Sequence, residues 1–178
     1  MGEPEPLRKV KKERGLLERI MSIIPGYHGY KEKELRRESD RLVRMEATMR
    51  LREAKDALRK SMSSPFVIQN LSGEDIWMFD TLMARLDRAT QRIDRAVAGY
   101  AGLFDAVKVR EDKLDKVIEH DLMLVERAKA IREKADALAK LKPGTPEWRD
   151  AINALISEVD EFDRLIDTRT EVLRGLVD

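Results

Sequence analysis

The side chains best placed to do chemistry in this chain are two histidines, His28 and His120, and there is no cysteine at all. A helical di-metal centre needs a Glu-x-x-His pair on each of two helices, so that carboxylate and imidazole share a face. Three positions before His28 stands Pro25, and three before His120 stands Val117. The acids beside His120, Glu119 and Asp121, diverge from it by about 100° on a helix, and its same-face neighbours Lys116, Val117, Met123 and Leu124 offer no ligand. The lack of cysteine excludes thiolate zinc sites, cysteine nucleophiles and disulfides. Phosphate loops and nucleophile elbows are missing as motifs, and Gly26-Tyr27-His28-Gly29 and Gly99-Tyr100-Ala101-Gly102 read as turns. The expectation is a chain with no catalytic site, no cofactor, no metal and no small-molecule substrate.

Two stretches have the chemistry of binding. Tyr27, His28, Tyr30, Lys31, Lys33, Arg36, Arg37, Arg41 and Arg44 mix rings with cations in the way that stacks bases and contacts phosphates in RNA. Glu32, Glu34, Glu38 and Asp40 interleave with them, so the same stretch also reads as a salt-bridged solvent face. Further upstream, a basic run (Arg8, Lys9, Lys11, Lys12, Arg14) precedes Leu16, Leu17, Ile20, Ile23 and Ile24 at helical spacing. Such a segment suits a partner helix, a lid on the chain's own core, or a membrane surface.

These groups must be positioned by long amphipathic helices. Charged residues make up 39% of the 178 and aromatics only 5%, which suits helices rather than a sheet. Ile76, Phe79, Met83, Leu86, Thr90, Ile93, Val97 and Tyr100 form one heptad stripe. Trp148, Ile152, Leu155, Val159, Phe162, Ile166, Leu173 and Leu176 form another. The spacing predicts an all-α, elongated bundle of four to five long amphipathic helices with coiled-coil-like packing. Residues 1–6 read as a frayed polar lead and 7–178 as a single helical domain, with an amphipathic helix at 7–24 and main helices at 30–62, 74–98, 106–141 and 145–176. Ser72 and Thr145 are the expected N-caps, with Pro146 at the first helical position. Gly99–Gly102 marks a kink or tight break. No uncharged stretch approaches the roughly 20 apolar residues needed to span a bilayer.

Finer expectations follow from the wheel. In the helix at 30–62, Leu35, Leu42, Met45 and Met49 make one seam and Ala47, Leu51, Ala54 and Leu58 a second. Glu32–Arg36, Asp40–Arg44, Glu46–Arg50 and Asp56–Lys60 are i,i+4 pairs that should solvate its outer face. Glu111 and Asp121 read either as buried carboxylates or as the wet edge of a drifting stripe, and drift favours the wet edge. Arg169 should snorkel past the rim. Residues 1–60 carry 17 Lys/Arg against 11 Asp/Glu, the rest 18 against 23, with the acidic excess in the last helix. That asymmetry predicts the acidic last helix beside the basic N-terminal rod, and Asp80, Asp87 and Asp94 facing cations across a seam.

Two segments, IPGYHGYKEKELRRESDRLVR (Ile24–Arg44) and GYAGLFDAVKVREDKLDKVIEHD (Gly99–Asp121), resemble an uncharacterised family of small helical prokaryotic proteins, archaeal members included. The resemblance covers about a quarter of the chain. It implies that these stretches form the family's working surface and carries over no activity. Taken together, the residues predict a non-enzymatic helical interaction or scaffold protein of the cytoplasm, acting on a protein partner or as a homo-oligomer. Its partner-binding candidates are Leu16, Leu17, Ile20, Ile23, Ile24, Tyr27, Tyr30, Lys31, Lys33, Arg36 and Arg37. Two alternatives stay open: peripheral membrane binding through 7–24, and RNA binding through Tyr27–Arg44.

Overall fold

The computed structural model describes residues 5–96, 104 and 108–175. Among them the chain is helical and contains no strand. The α-helices run in order α1 Glu5–Ile23, α2 Lys33–Ser61, α3 Pro65–Gln69, α4 Gly73–Arg95, α5 Leu114–Ala139 and α6 Pro146–Arg174, with a 3₁₀ turn at Glu111–Lys113 leading into α5. Val97, Tyr100, the Gly99–Gly102 break, Ala106 and Leu176 lie outside the described residues.

Local chemistry sets the ends. Thr145 caps α6, its hydroxyl accepting from the Trp148 amide at 3.3 Å, and Pro146 opens the first turn. Ser72 caps α4 in a reciprocal box: its hydroxyl accepts from the Asp75 amide at 3.1 Å, and its own amide donates to the Asp75 carboxylate at 3.2 Å. Several features differ from expectation, among them α1, which begins at Glu5, inside the stretch read as a frayed lead, rather than at 7. The α2 helix starts at Lys33 rather than 30, because Tyr30 turns inward and its carbonyl accepts from the Arg36 guanidinium instead of opening a helix. Helix α5 begins at Leu114 rather than 106, since residues 108–113 offer only Val109 for burial. The apolar crossover at 66–71 contains one helical turn, α3, with Pro65 in its first turn.

Helices α2, α4, α6 and α5 form a closed ring of contacts, with α1 outside it against α5. Helix directions follow from pairs across the seams. Asp75–Arg149 and Arg85–Asp160 rise together, so α4 and α6 run parallel. Arg52–Asp94 and Lys55–Asp87 run in opposite senses, so α2 and α4 are antiparallel. Lys12–Glu119 and Arg19–Glu126 make α1 parallel to α5. Helix α5 is touched by α1, α2 and α6, and Val117, Ile118, Leu122, Leu124 and Val125 of its first half are buried.

The α6 stripe is buried as read, from Trp148 through Leu173, and Trp148 stacks on Phe79 of α4 at 6.5 Å. On α4 the buried arc is Phe79, Leu82, Leu86, Ala89, Thr90 and Ile93, rotated toward Leu82 and Ala89. Ile76 and Met83 are only half-buried, because α4 must face both α2 and α6. On α2 the seam of Ala47, Leu51, Ala54 and Leu58 is buried, while Met45 and Met49 are exposed and Leu35 and Leu42 half-buried. Its two neighbouring helices, α4 and α5, cover a single arc.

Charge is matched between neighbours rather than between the chain's two ends. The acids of α6 meet arginines of α4 (Arg85–Asp160, Arg88–Asp163, Arg92–Asp163 and Arg92–Asp167), not the N-terminal rod. Basic α1 meets the α5 acids Glu119 and Glu126. Asp87 and Asp94 do face Lys55 and Arg52 across the α2·α4 seam, whereas Asp80 is exposed and makes no ion pair among the described residues. Of the expected i,i+4 pairs, Glu46–Arg50 forms at 2.7 Å on a partly covered flank, and Asp56 pairs with Arg59 instead of Lys60.

Asp75 ties the start of α4 to α6: beyond its cap it accepts from both Arg149 guanidinium nitrogens, at 2.6 and 3.0 Å. Arg149 and then Ser72 hold its carboxyl well below the usual carboxylate range. A carboxyl with a lowered folded pKa adds stability that is full above about pH 4 and fades as acid protonates it. Asp75→Ala is expected to cost about 1–2 kcal/mol near pH 7 by urea denaturation, with the gap from wild type closing at strongly acid pH.

Candidate functional site

The interior of the ring contains a charge. Arg169 occupies a slot of the α6 seam between Ile166 and Leu173 and is 1% exposed. One guanidinium nitrogen donates to Asp121 of α5; the other donates to Asp40 of α2 at 2.9 Å and to the Tyr30 hydroxyl at 3.1 Å. Asp40 also accepts from Arg44 at 2.8 Å, and the Tyr27 hydroxyl donates to Asp121 at 2.7 Å. Two carboxylates thus balance two guanidinium groups. Removing such ions from water costs several kcal/mol each, and the arrangement offsets this only because each charge meets an opposite charge and further hydrogen bonds.

The loop between α1 and α2 is shaped to reach this cluster. Gly26 and Gly29 take positive φ, +88° and +74°, and fold Tyr27 and Tyr30 inward. Their rings meet edge-on at 6.4 Å, and Tyr30 stacks on Phe104 at 6.2 Å. At Gly29 a Cβ would meet Leu17 at 3.4 Å and Ile118 at 3.7 Å, ordinary contact distances, so the demand for glycine there comes from its positive φ. Arg36, itself buried, donates to the carbonyls of Tyr30 and Lys31, at 2.8 and 3.5 Å. The backbone N–H of exposed His28 donates to the Ser39 hydroxyl at 3.2 Å. Burial, and next the Asp121 charge, push both tyrosine hydroxyls well above their ordinary pKa, so they stay protonated as donors. His120, one residue from Asp121, is buried and shares a hydrogen bond with the Thr168 hydroxyl at 3.1 Å. Burial, then Arg169, lower its pKa, favouring the neutral ring.

Several expectations are corrected here. Asp121 is fully buried, not at a wet edge, because Arg169 and Tyr27 meet it inside; Glu111 is exposed in the 3₁₀ turn. Arg169 does not snorkel, since two carboxylates meet it inside. Asp40 and Arg36 are core residues rather than outer-face partners. Tyr27 and Tyr30, 0% exposed, are turned away from any base they were expected to stack. Ile20 and Ile24 are buried and Leu16, Leu17 and Ile23 half-buried against the chain's own core, on the α5 side. Of the partner-binding candidates, Lys31, Lys33 and Arg37 lie at the surface.

The cluster as a unit was missed by the residue pattern. The available signal was a lone arginine in an unbroken apolar seam. Tyr27, Tyr30 and Asp40 thus meet Phe104 and Asp121 at this place. What the geometry performs is attachment, joining loop, α2, α5 and α6 at one point. Among the described residues no three acidic or histidine side chains gather as a metal would need, and no helix is long and apolar enough to cross a membrane. Comparison with protein families, with curated proteins and with solved structures returns no match for this chain.

Arg169→Met leaves Asp121 and Asp40 buried without their shared cation and is expected to cost about 3–5 kcal/mol in urea denaturation. Adding Asp121→Leu and Tyr27→Phe, which removes the stranded acid and its donor while Asp40 keeps Arg44, should recover more than half of that loss. A full-sized loss in the triple variant would show that the charges themselves, not their mutual compensation, stabilise the fold.

Proposed function

We propose that this chain is a non-enzymatic helical interaction protein of the cytoplasm, an elongated bundle with coiled-coil-like seams that docks a protein partner by helix–helix contact. The observation that carries this reading is a group of uncovered large apolar side chains around α3 and the start of α4. Phe66 is 75%, Ile68 47% and Trp77 67% exposed, within twelve consecutive positions. Single exposed apolar residues are ordinary, but exposed Trp and Phe this close in sequence are the residue types that anchor protein interfaces. The residues first assigned to partner binding, Leu16 to Ile24, instead meet α5 of the same chain, which moves the proposed surface to α3 and the start of α4.

A second reading, contact with an anionic membrane, has one observation in its favour. Leu7, Val10 and Met21, 54%, 61% and 44% exposed, fall on one face of the basic helix α1. The Arg14–Glu18 pair interrupts that face, which makes it the weaker claim.

The test is capture from native cells with the wild-type chain and with Phe66→Ala/Trp77→Ala, after circular dichroism shows equal helicity. The proposal expects a partner protein retained by wild type in high salt, with its yield falling at least about tenfold for the variant, since truncated anchors commonly cost 1.4 kcal/mol or more. Equal retention by both chains, or binding by wild type to anionic vesicles alone, counts against it.

A further inference from the structure

The contact between α1 and α5 has the form of a registered, separable helix pair. Lys12 and Arg19 lie seven residues apart, as do Glu119 and Glu126, and they pair in order: Lys12–Glu119 at 2.7 Å and Arg19–Glu126. Charges at heptad spacing beside an apolar strip are how parallel helices choose partner and register. Here the strip is Leu16, Ile20, Ile23 and Ile24. Helix α1 makes extensive contact with α5 and with no other helix. Most of what holds α1 among the described residues can therefore be supplied by an α5 from another copy of the chain.

The tether also permits this. Tyr27 and Tyr30 are pinned in the buried cluster, so between Ile24 and Tyr27 the connection is Pro25-Gly26 alone. Gly26, at φ +88°, turns the chain back so that α1 lies on its own α5. Extending that one residue would break the turn bond from the Tyr27 N–H to the Ile24 carbonyl (3.2 Å) and swing α1 away, while the side-chain bonds of the cluster do not pass through it. Short hinges between a detachable element and a fixed body are where identical chains exchange elements.

We propose that the α5 face carrying Glu119 and Glu126 is an exchangeable docking site whose partner is α1 of a second copy, the two copies trading α1 helices in a two-fold dimer. The occupant has to be basic and apolar at seven-residue spacing, and the α1 of a second copy meets both conditions by construction. This inference rests on reading the chain as a helix–helix interaction protein, but uses a different face from Phe66, Ile68 and Trp77. Failure of one therefore leaves the other standing.

The experiment uses full-length chains, all carrying Trp77→Ala so that the α3–α4 corner does not contribute. One variant is Lys12→Glu/Arg19→Glu and a second is Glu119→Lys/Glu126→Lys; the third combines all four changes. In each double variant α1 and α5 of the same chain repel, whereas a mixture offers matched charges only between chains. Size exclusion with light scattering should show roughly a tenfold rise in dimer fraction for the equimolar mixture over either variant alone, with one chain of each kind per dimer. The fourfold variant should behave as the Trp77→Ala parent. If a double variant does not fold by itself, the pair is refolded together from urea and read in the same way. A mixture that stays monomeric while the fourfold variant is folded overturns the proposal. So does a dimer that forms equally in each variant alone, which would place the contact elsewhere.

Discussion

A guanidinium held between two carboxylates in a largely apolar interior is the constraint on which the arrangement of helices depends. Heptad seams are repetitive, and the α6 stripe would present nearly the same apolar surface to its neighbours after a slip of seven residues. Arg169 removes that degeneracy. Only one register brings it to Asp121 of α5, Asp40 of α2 and the Tyr30 hydroxyl together. In any other, an arginine is buried among aliphatic groups and Asp121 loses its cation, at a cost of several kcal/mol. A buried polar group that specifies register at the expense of raw stability is the best-attested role for such groups in helical assemblies.

The surface charges agree with the register that the interior selects. Arg85–Asp160 and Arg92–Asp167 share one sequence offset along the parallel α4·α6 pair, and Lys12–Glu119 and Arg19–Glu126 share another along α1·α5. Each exposed pair is worth about 0–1 kcal/mol, too little to decide a fold alone. Repeated at seven-residue intervals, they penalise every wrong slide at several points together. The interior therefore sets the alignment of α2, α5 and α6, and the rails extend it to α4 and α1.

How much of this was legible in the residues depends on whether the cause is local. The start of α6 is written in Thr145 and Pro146, that of α4 in Ser72 and Asp75, and the inward face of α6 in its unbroken stripe. The inward arc of α2 was not legible, because Leu42, Met45 and Met49 make as good a seam as Leu51, Ala54 and Leu58 until the positions of α4 and α5 are known. Asp40, Asp121 and Arg169 were misread one at a time for the same reason. A lone charge in an apolar helix looks like one that must reach water, and the compensation lies 48 and 129 residues away in the chain. Tyr27 and Tyr30 looked like a binding surface because their direction is set by two glycines in the left-handed region, a conformation that a residue pattern does not display.

A body fixed by the cluster is distinct from the helix attached to it. Residues 27–30 belong to the body although they lie in a loop, and α1 is joined through Pro25-Gly26 although it is a helix. Native-state hydrogen exchange in low denaturant tests this division most directly. The account predicts that the amides of residues 27–30 exchange only through the same global opening as those of α5 around Asp121 and α6 around Arg169, while those of α1 exchange through a smaller opening of their own. Exchange of residues 27–30 together with α1, at a free energy well below that of α5 and α6, would contradict it.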